Sequence, residues 1–285
     1  MTQHWRDHLG QFGVWRGASQ VSPDLAAAVE QLGFGALWVG GSPAADLAVV
    51  EELLDATSTL VLATGIVNIW QSDADQVAAS FARIEAHHRG RFLLGVGAGH
   101  AEAIQQYARP YQALSAYVDV LGGNGVPASS LVLAALGPKM LRLAAERTAG
   151  AHPYLVTPEF TRQARAIVGP GPLLAPEHKA VLETDPAAAR AIGRPRVHSP
   201  YLGLVNYTNN LRRLGWTEQD LSDGGSDELI DALVARGSAA DVAARLQEHL
   251  DAGADHVCVQ LLTEPDSDPL VGYRQLARAL ALRGP

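Results

Sequence analysis

Eight short apolar runs, each followed by a stretch of helical periodicity, set the strongest limit on what this chain can fold into. The runs fall at residues 12–15, 36–39, 60–69, 91–96, 131–135, 151–156, 179–182 and 256–262. Helical patterns lie at 22–32, 45–57, 73–88, 109–121, 138–147, 158–167, 239–252 and 269–282. Ser22-Pro23-Asp24 marks a helix start, with a capping hydroxyl, a proline at the first helical position and an acid in the first turn. Asp73 suits a cap in the same way. Strands that alternate with helices pair in parallel through right-handed crossovers. Eight such units in 285 residues fit a closed (β/α)8 TIM barrel better than an open doubly wound sheet. The chain reads as a single domain, 1–285, with an insertion at about 185–240 between strand 7 and its main helix. That stretch is too long for an ordinary connection. A helix of its own, at 227–236, is expected to lie over the active face.

Composition narrows the function classes. Hydrophobic residues make up 47% and charged residues 18%, enough for a large buried core. No apolar run approaches the roughly 20 residues of a membrane helix, and MTQHWRDHLG is too polar for a secretory signal. A single cysteine, Cys258, permits no intrachain disulfide and fits a reducing cytoplasm. Net charge is −8 with no basic block, which argues against nucleic acid as a partner. Lysine occurs only at Lys139 and Lys179. There is no HExxH or Cys-His cluster, so no metal is expected, and neither a GxSxG elbow nor a P-loop is present.

Several segments carry two readings. Gly95-Val96-Gly97-Ala98-Gly99-His100 has histidine where a dinucleotide fingerprint needs its last glycine, and it follows a fourth strand rather than a first. It is either a tight turn or a backbone that lets a flat ring approach. Gly65 inside 60–69 marks a bulge or close approach. Asn68 and Trp70 at that strand's end offer a polar contact and an aromatic wall, or a core anchor. Gly137-Pro138-Lys139 opens a helix whose free amides favour an anion, or is simply a sound helix start. Arg194 and Arg196 could grip an anionic tail or pair with nearby acids. His87 and His88 close a helix, where a structural role suits the dipole. His100 and His152 sit after strands four and six, on the catalytic face.

In their order along the chain, FGALWVGGSP, LVLATGIVNIW, AHHRGRFLLGVGAGH and LAALGPKMLRLAAERTAGAHPYLVTPE resemble the luciferase-like monooxygenase superfamily, in particular its actinobacterial class dependent on the deazaflavin coenzyme F-420. LLAPEHKAVLETDPAAARAIGR, YLGLVNYTNNLRRLGW and DAGADHVCVQ extend the resemblance over almost the whole chain. It implies a ring held at the C-terminal mouth of the barrel, with a non-proline cis peptide at Gly65-Ile66 against it. Gly40, Ser42, Asn68, Gly97, Ala98 and Gly99 fall at ring-contacting positions, and Gly137, Pro138 and Thr157 fall near the phosphate. Trp70, His152 and Tyr201 border the substrate pocket, and His100 is the candidate catalytic residue. Relatives that oxidise glucose 6-phosphate carry an Asp-His pair where Gly40-Gly41-Ser42 stands here, and an acid where His100 stands, so that substrate is not carried over.

The resemblance implies hydride transfer between coenzyme F-420 and a small organic substrate. The alternatives are an FMN-dependent monooxygenase fed by a partner flavin reductase, and a flavin-binding protein without catalysis. A homodimer is expected, with alanine-rich faces such as 45–57 packing across a two-fold axis. Replacing His100 with alanine is expected to lower turnover more than cofactor affinity in parallel kinetic and binding titrations; an unchanged rate leaves His100 as part of a turn.

Overall fold

The computed structural model describes residues 2–99, 110–264 and 267–285. The first half runs α1 (Thr2–Leu9), β1 (Phe12–Gly17), α2 (Pro23–Gln31), β2 (Ala36–Gly40), α3 (Ala48–Asp55), β3 (Val61–Gly65), β4 (Val67–Asn68), α4 (Ala74–His87), β5 (Phe92–Gly97) and α5 (Pro110–Gly123). The second half runs β6 (Leu131–Leu133), α6 (Pro138–Arg147), β7 (Gly150–Ala151), α7 (Pro158–Val168), β8 (Leu173–Leu174), β9 (Glu177–Val181), α8 (Pro186–His198), α9 (Val205–Arg213), α10 (Glu218–Leu221), α11 (Asp227–Leu233), β10 (Val234–Arg236), α12 (Ala239–Asp251), β11 (Val257–Leu261) and α13 (Pro269–Ala279).

The strands pair in parallel in the order β10-β9-β11-β1-β2-β3-β5-β6-β7-β8, with β4 beside β5. β8 and β9 are two parts of one extended segment. On one edge of it Ala175 N and Glu177 N donate to Ala151 O (3.0 Å) and Pro153 O (2.8 Å); on the other, Cys258 N donates to Pro176 O (3.0 Å). The sheet therefore closes on itself through residues 173–181, and β10 is an extra strand at its upper rim. This is the (β/α)8 barrel that the alternation implies.

Side chains alternate between the barrel interior and the helix layer, as the strand period of two requires. On β2, Leu37 and Val39 pack outward while Ala36 and Trp38 point in; on β3, Leu62 packs outward while Val61 and Ala63 point in. The inward row is bulky at mid-height, where Trp15, Trp38 and Ala63 lie in register, and bare above it, where Gly17, Gly40 and Gly65 lie in register. Side chains below and none above leave a plugged barrel with an open mouth.

The lower end is sealed by α1, a helix formed by the polar N-terminal segment. Trp5 and Leu9 are buried in the interior cluster, and the Trp5 indole donates to Ser129 O (2.5 Å). Other departures from the sequence reading have local causes. The helix expected at 45–57 starts only at Ala48, because Leu47 is left-handed (φ 52°). The run 151–156 gives a strand of two residues, since Pro153 has no N–H and Leu155 is left-handed (φ 55°). The run 60–69 splits at a cis Gly65-Ile66 peptide, the form the resemblance implies at that bond. The helix expected at 227–236 ends at Leu233, and Val234–Arg236 pairs with β9 instead. The insertion helices α8, α9 and α11 share their own apolar cluster, which includes Val197, Leu211 and Leu233.

Among the described residues, four histidines are buried in the frame. His256 donates through Nδ1 to Gly10 O (2.8 Å) and accepts the Trp38 indole N–H at Nε2 (3.0 Å), joining plug to core. His178 and His249 meet at 3.0 Å on the outer side of β9, with Thr161 Oγ1 2.8 Å from His249 Nδ1. Burial holds His152 and His256 down to about 4, His178 to about 3, and His249 well below its usual value. Unfolded imidazole titrates near 6.5, so the unfolded chain binds more protons between that pH and about 4. Stability is therefore whole above pH 6.5 and is expected to fall as pH drops toward 4, by up to about 1.4 kcal/mol per pH unit for each imidazole. Urea midpoints at pH 7.5, 6 and 5 check this; a midpoint that does not move below pH 6.5 contradicts it.

Candidate functional site

The bare upper layer of the barrel opens into a cleft of about 460 Å³. One wall is backbone: Gly65 and Ile66 from the end of β3, then Ala98 and Gly99 beyond β5. Asn68, on β4, is held between them. Its Oδ1 accepts from Trp70 N (3.0 Å), which leaves its amide beside Gly99, where an added Cβ would lie 2.6 Å from Nδ2. Gly99 is also left-handed (φ 59°), so glycine is required there on both counts. Ser42, left-handed at φ 55°, lines the rim after β2.

The opposite wall is aromatic. Trp15, Tyr154, Tyr201 and Tyr207 follow one another in tilted and edge-on contacts, with ring centroids 5.3, 5.3 and 4.9 Å apart. Trp15 comes from β1 and its indole donates to Gly65 O (3.3 Å), tying the two walls together. Tyr201 and Tyr207 come from the stretch between β9 and α12, whereas no residue of the expected helix at 227–236 lines the cleft. Leu136, Gly137, Lys139 and Met140 form the third side at the N-terminus of α6. No side chain caps that helix, and an added Cβ on Gly137 would meet nothing within 4 Å. Exposed helix amides and a lysine at one end of a cleft favour an anion there.

Behind the aromatic wall lies a buried ion pair. Glu177 and Lys179 are two apart on β9 and both point inward. Lys179 Nζ donates to Glu177 Oε1 (3.1 Å) and Gln260 Oε1 (2.9 Å) and sits 3.8 Å from the Tyr154 ring centroid. Leu155 N donates to Glu177 Oε2 (2.9 Å). Burial pushes the Glu177 carboxyl up and the Lys179 ammonium down, and each charge partly offsets the effect on the other. The ammonium demands an oxygen from Gln260, so the Tyr154 hydroxyl, 2.8 Å from the same oxygen, must donate to it. Tyr201 donates in turn to Tyr154 (3.2 Å). Lys179 thereby fixes the direction of the hydroxyls along this wall.

Of the residues singled out in the sequence, Ser42, Gly65, Ile66, Asn68, Ala98, Gly99, Gly137, His152 and Tyr201 line this one cleft. Others stand behind it. Gly40 is covered by Trp15, whose ring would be 1.9 Å from an added Cβ. Gly97 packs against Ala134 and Ile66. The Trp70 indole is turned to Ala98 O (2.7 Å). Pro138 is the first residue of α6, and Thr157 caps α7, its hydroxyl accepting from Phe160 N (3.3 Å). Arg194 pairs with Asp227 and the Gly225 carbonyl, the bland reading of the two. His88 pairs with Asp55 (3.0 Å). His100 lies outside the described residues.

Sequence reasoning missed Trp15, Tyr154, Glu177, Lys179 and Gln260. The seventh strand, expected at 179–182, runs over Glu177–Val181 and so takes in Glu177 and His178 as well. A signal existed: Lys179 is one of only two lysines, and both are at or behind this cleft.

With the geometry in place, comparisons give a consistent likeness. The family model described as luciferase-like monooxygenase matches residues 11–124. No curated protein sequence matches the chain. An F-420-dependent secondary alcohol dehydrogenase in complex with an F-420–acetone adduct superposes with a TM-score of 0.73 at 16% identity, covering 95% of this chain and 98% of its own. The F-420-dependent tetrahydromethanopterin reductase from Methanopyrus kandleri gives 0.69 at 16%, covering 95% and 98%. The oxygenating constituent of 3,6-diketocamphane monooxygenase from Pseudomonas putida, a type II Baeyer–Villiger monooxygenase in complex with FMN, gives 0.68 at 14%, covering 96% and 98%. These structures share the fold.

Removing one partner of a buried ion pair leaves the other charge uncompensated. Lys179→Met is expected to destabilise the protein by about 3–5 kcal/mol in urea unfolding, and adding Glu177→Gln to restore much of the loss. A single variant as stable as the parent contradicts the arrangement.

Proposed function

We propose that this chain is a luciferase-like oxidoreductase that holds a deazaflavin, coenzyme F-420, in the cleft and uses it to move hydride to or from a small organic substrate. One observation carries the reading. The cleft has a glycine-rich wall of small residues with Ile66 and Asn68, a set of tilted aromatic rings, and at one end an uncapped helix N-terminus with a lysine. A flat ring fits between such walls, and an anionic tail fits that end. Gly65, Ile66, Asn68, Ala98 and Gly99 would face the ring, and Gly137 and Lys139 would take the phosphate. Tyr154, Tyr201 and Tyr207 would border the substrate.

The bound cofactor supplies the hydride chemistry; the protein supplies position and a surface from which water is displaced. The aromatic wall and the short reach between Trp15 and Gly65 keep the slot narrow, while the Lys179 array holds the tyrosine hydroxyls in one orientation. FMN is the second reading. The same slot accepts its ring, and an FMN complex is among the structures sharing the fold. That reading adds a partner flavin reductase and use of oxygen, with which deazaflavin reacts poorly because it lacks the N5 nitrogen.

Fluorescence titration of the purified protein with coenzyme F-420 and, separately, with FMN tests both readings. Micromolar or tighter binding of F-420 alone supports the first, preference for FMN the second, and binding of neither removes the redox function. A side chain at Gly65 would collide with two rings that line the slot, its Cβ lying 2.7 Å from Trp15 Nε1 and 2.9 Å from His152 Nε2. Gly65→Leu is therefore expected to abolish cofactor binding and leave a folded barrel by circular dichroism. A variant that binds as tightly as the parent moves the ring elsewhere.

A further inference from the structure

Among the described residues, one buried polar atom in the cleft lacks a hydrogen-bond partner: Nε2 of His152. The side chain is 1% exposed and rigidly held. Its ring stacks on Trp38 at 4.1 Å and 15°. Trp38 in turn is anchored by its bond to His256. Nδ1 lies 2.7 Å from Ala175 O. A carbonyl only accepts, so Nδ1 carries the hydrogen. Burial holds the ring neutral, with protonation pushed down to about 4. Nε2 is therefore a bare lone pair.

That lone pair is aimed into the slot. Nε2 lies beside Gly65, another residue of the cleft wall: an added Cβ there would be 2.9 Å away, and with glycine no side chain of residue 65 stands against the acceptor. The other buried nitrogen without a partner, His178 Nε2, is on the outward-facing side of β9 and does not line the cleft. Unpaired buried polar atoms are costly, and a site is where one is retained for a ligand.

We infer that His152 Nε2 is the hydrogen-bond acceptor by which the cleft recognises its occupant, taking an N–H of the cofactor ring or the O–H of an alcohol substrate. The inference rests on reading the cleft as a cofactor and substrate site, and it adds the polarity of one contact. An occupant that turns a carbonyl or an ether oxygen to this point sets two lone pairs face to face and is rejected; one that turns a donor to it is retained.

Two substitutions and a spectroscopic signature test it. His152→Phe and His152→Gln both lose the bond to Ala175, but glutamine returns an acceptor within reach of the Nε2 position. In titrations with F-420 and with FMN, phenylalanine is expected to weaken binding of the preferred cofactor about tenfold or more, while glutamine stays within about threefold of the parent. Nitrogen NMR of protein labelled in its histidine rings reads the contact directly, with the His152 signals assigned by their loss in the variants. A shift of the bare Nε2 resonance on adding cofactor assigns the donor to the ring. A shift that appears only when propan-2-ol is added to the loaded protein, with cofactor affinity equal in all variants, assigns it to the substrate hydroxyl. Both outcomes support the inference. A loaded protein whose Nε2 resonance stays still in both steps, with phenylalanine binding as well as the parent, overturns it and leaves the cofactor site intact. A parent that binds neither cofactor removes the site and this inference with it.

Discussion

The register of the first three strands is the constraint on which the rest depends. Trp15, Trp38 and Ala63 share one level of the barrel, and Gly17, Gly40 and Gly65 share the next. Because inward positions recur every second residue, a bulky layer followed by a bare one makes a filled barrel with an open mouth. A slip of one residue in any of these strands would turn its outward Leu37, Val39 or Leu62 into the mouth and expose the tryptophan layer to the helices. The same register lays the Trp15 ring over Gly40 and its indole against the Gly65 carbonyl, so the layer below shapes the cleft above.

The two halves of the mouth solve the burial of polar groups differently. On the side of β3 and β5 the cleft is lined by glycines and small residues with one side-chain amide, Asn68, and the two strands are tied by Thr64, whose hydroxyl bonds both the N–H and the carbonyl of Gly95 at 2.8 Å. On the side of β9 and β11 two opposite charges are buried together, with an amide and two tyrosines completing their hydrogen bonds. Pairs of this kind contribute little net stability, because desolvation cancels most of their attraction. Their effect is directional: an ammonium fixes which end of Gln260 faces it, and this fixes the proton on Tyr154. Two buried neutral histidines, His152 and His256, likewise carry their hydrogen where a carbonyl requires it.

Much of the barrel was legible in the sequence, since the features that specify it are local. Ser22 and Asp73 cap helices, and Pro23 and Pro138 open them. The glycines of LVLATG and LGVGAG end strands at the mouth. The readings that failed did so where tertiary contact outweighs local pattern. A short polar N-terminal segment is a helix because the open barrel bottom buries Trp5 and Leu9. The seventh strand, expected from Lys179, begins at Glu177, because its charges meet partners inside and its histidine meets His249 outside.

By itself, the sequence determined an eight-unit α/β alternation, its caps and breaks, a mouth lined by glycine, and a likeness to luciferase-like proteins. Only the tertiary structure decided which distant groups meet there. His152, the product of a sixth strand only two residues long, faces Gly65 of the third, and Gln260 of the last strand faces Lys179 of the seventh. The reason is physical. Periodicity tells which side of a strand a residue occupies, whereas the height at which strands from different units come into register is set by closing the barrel around its core.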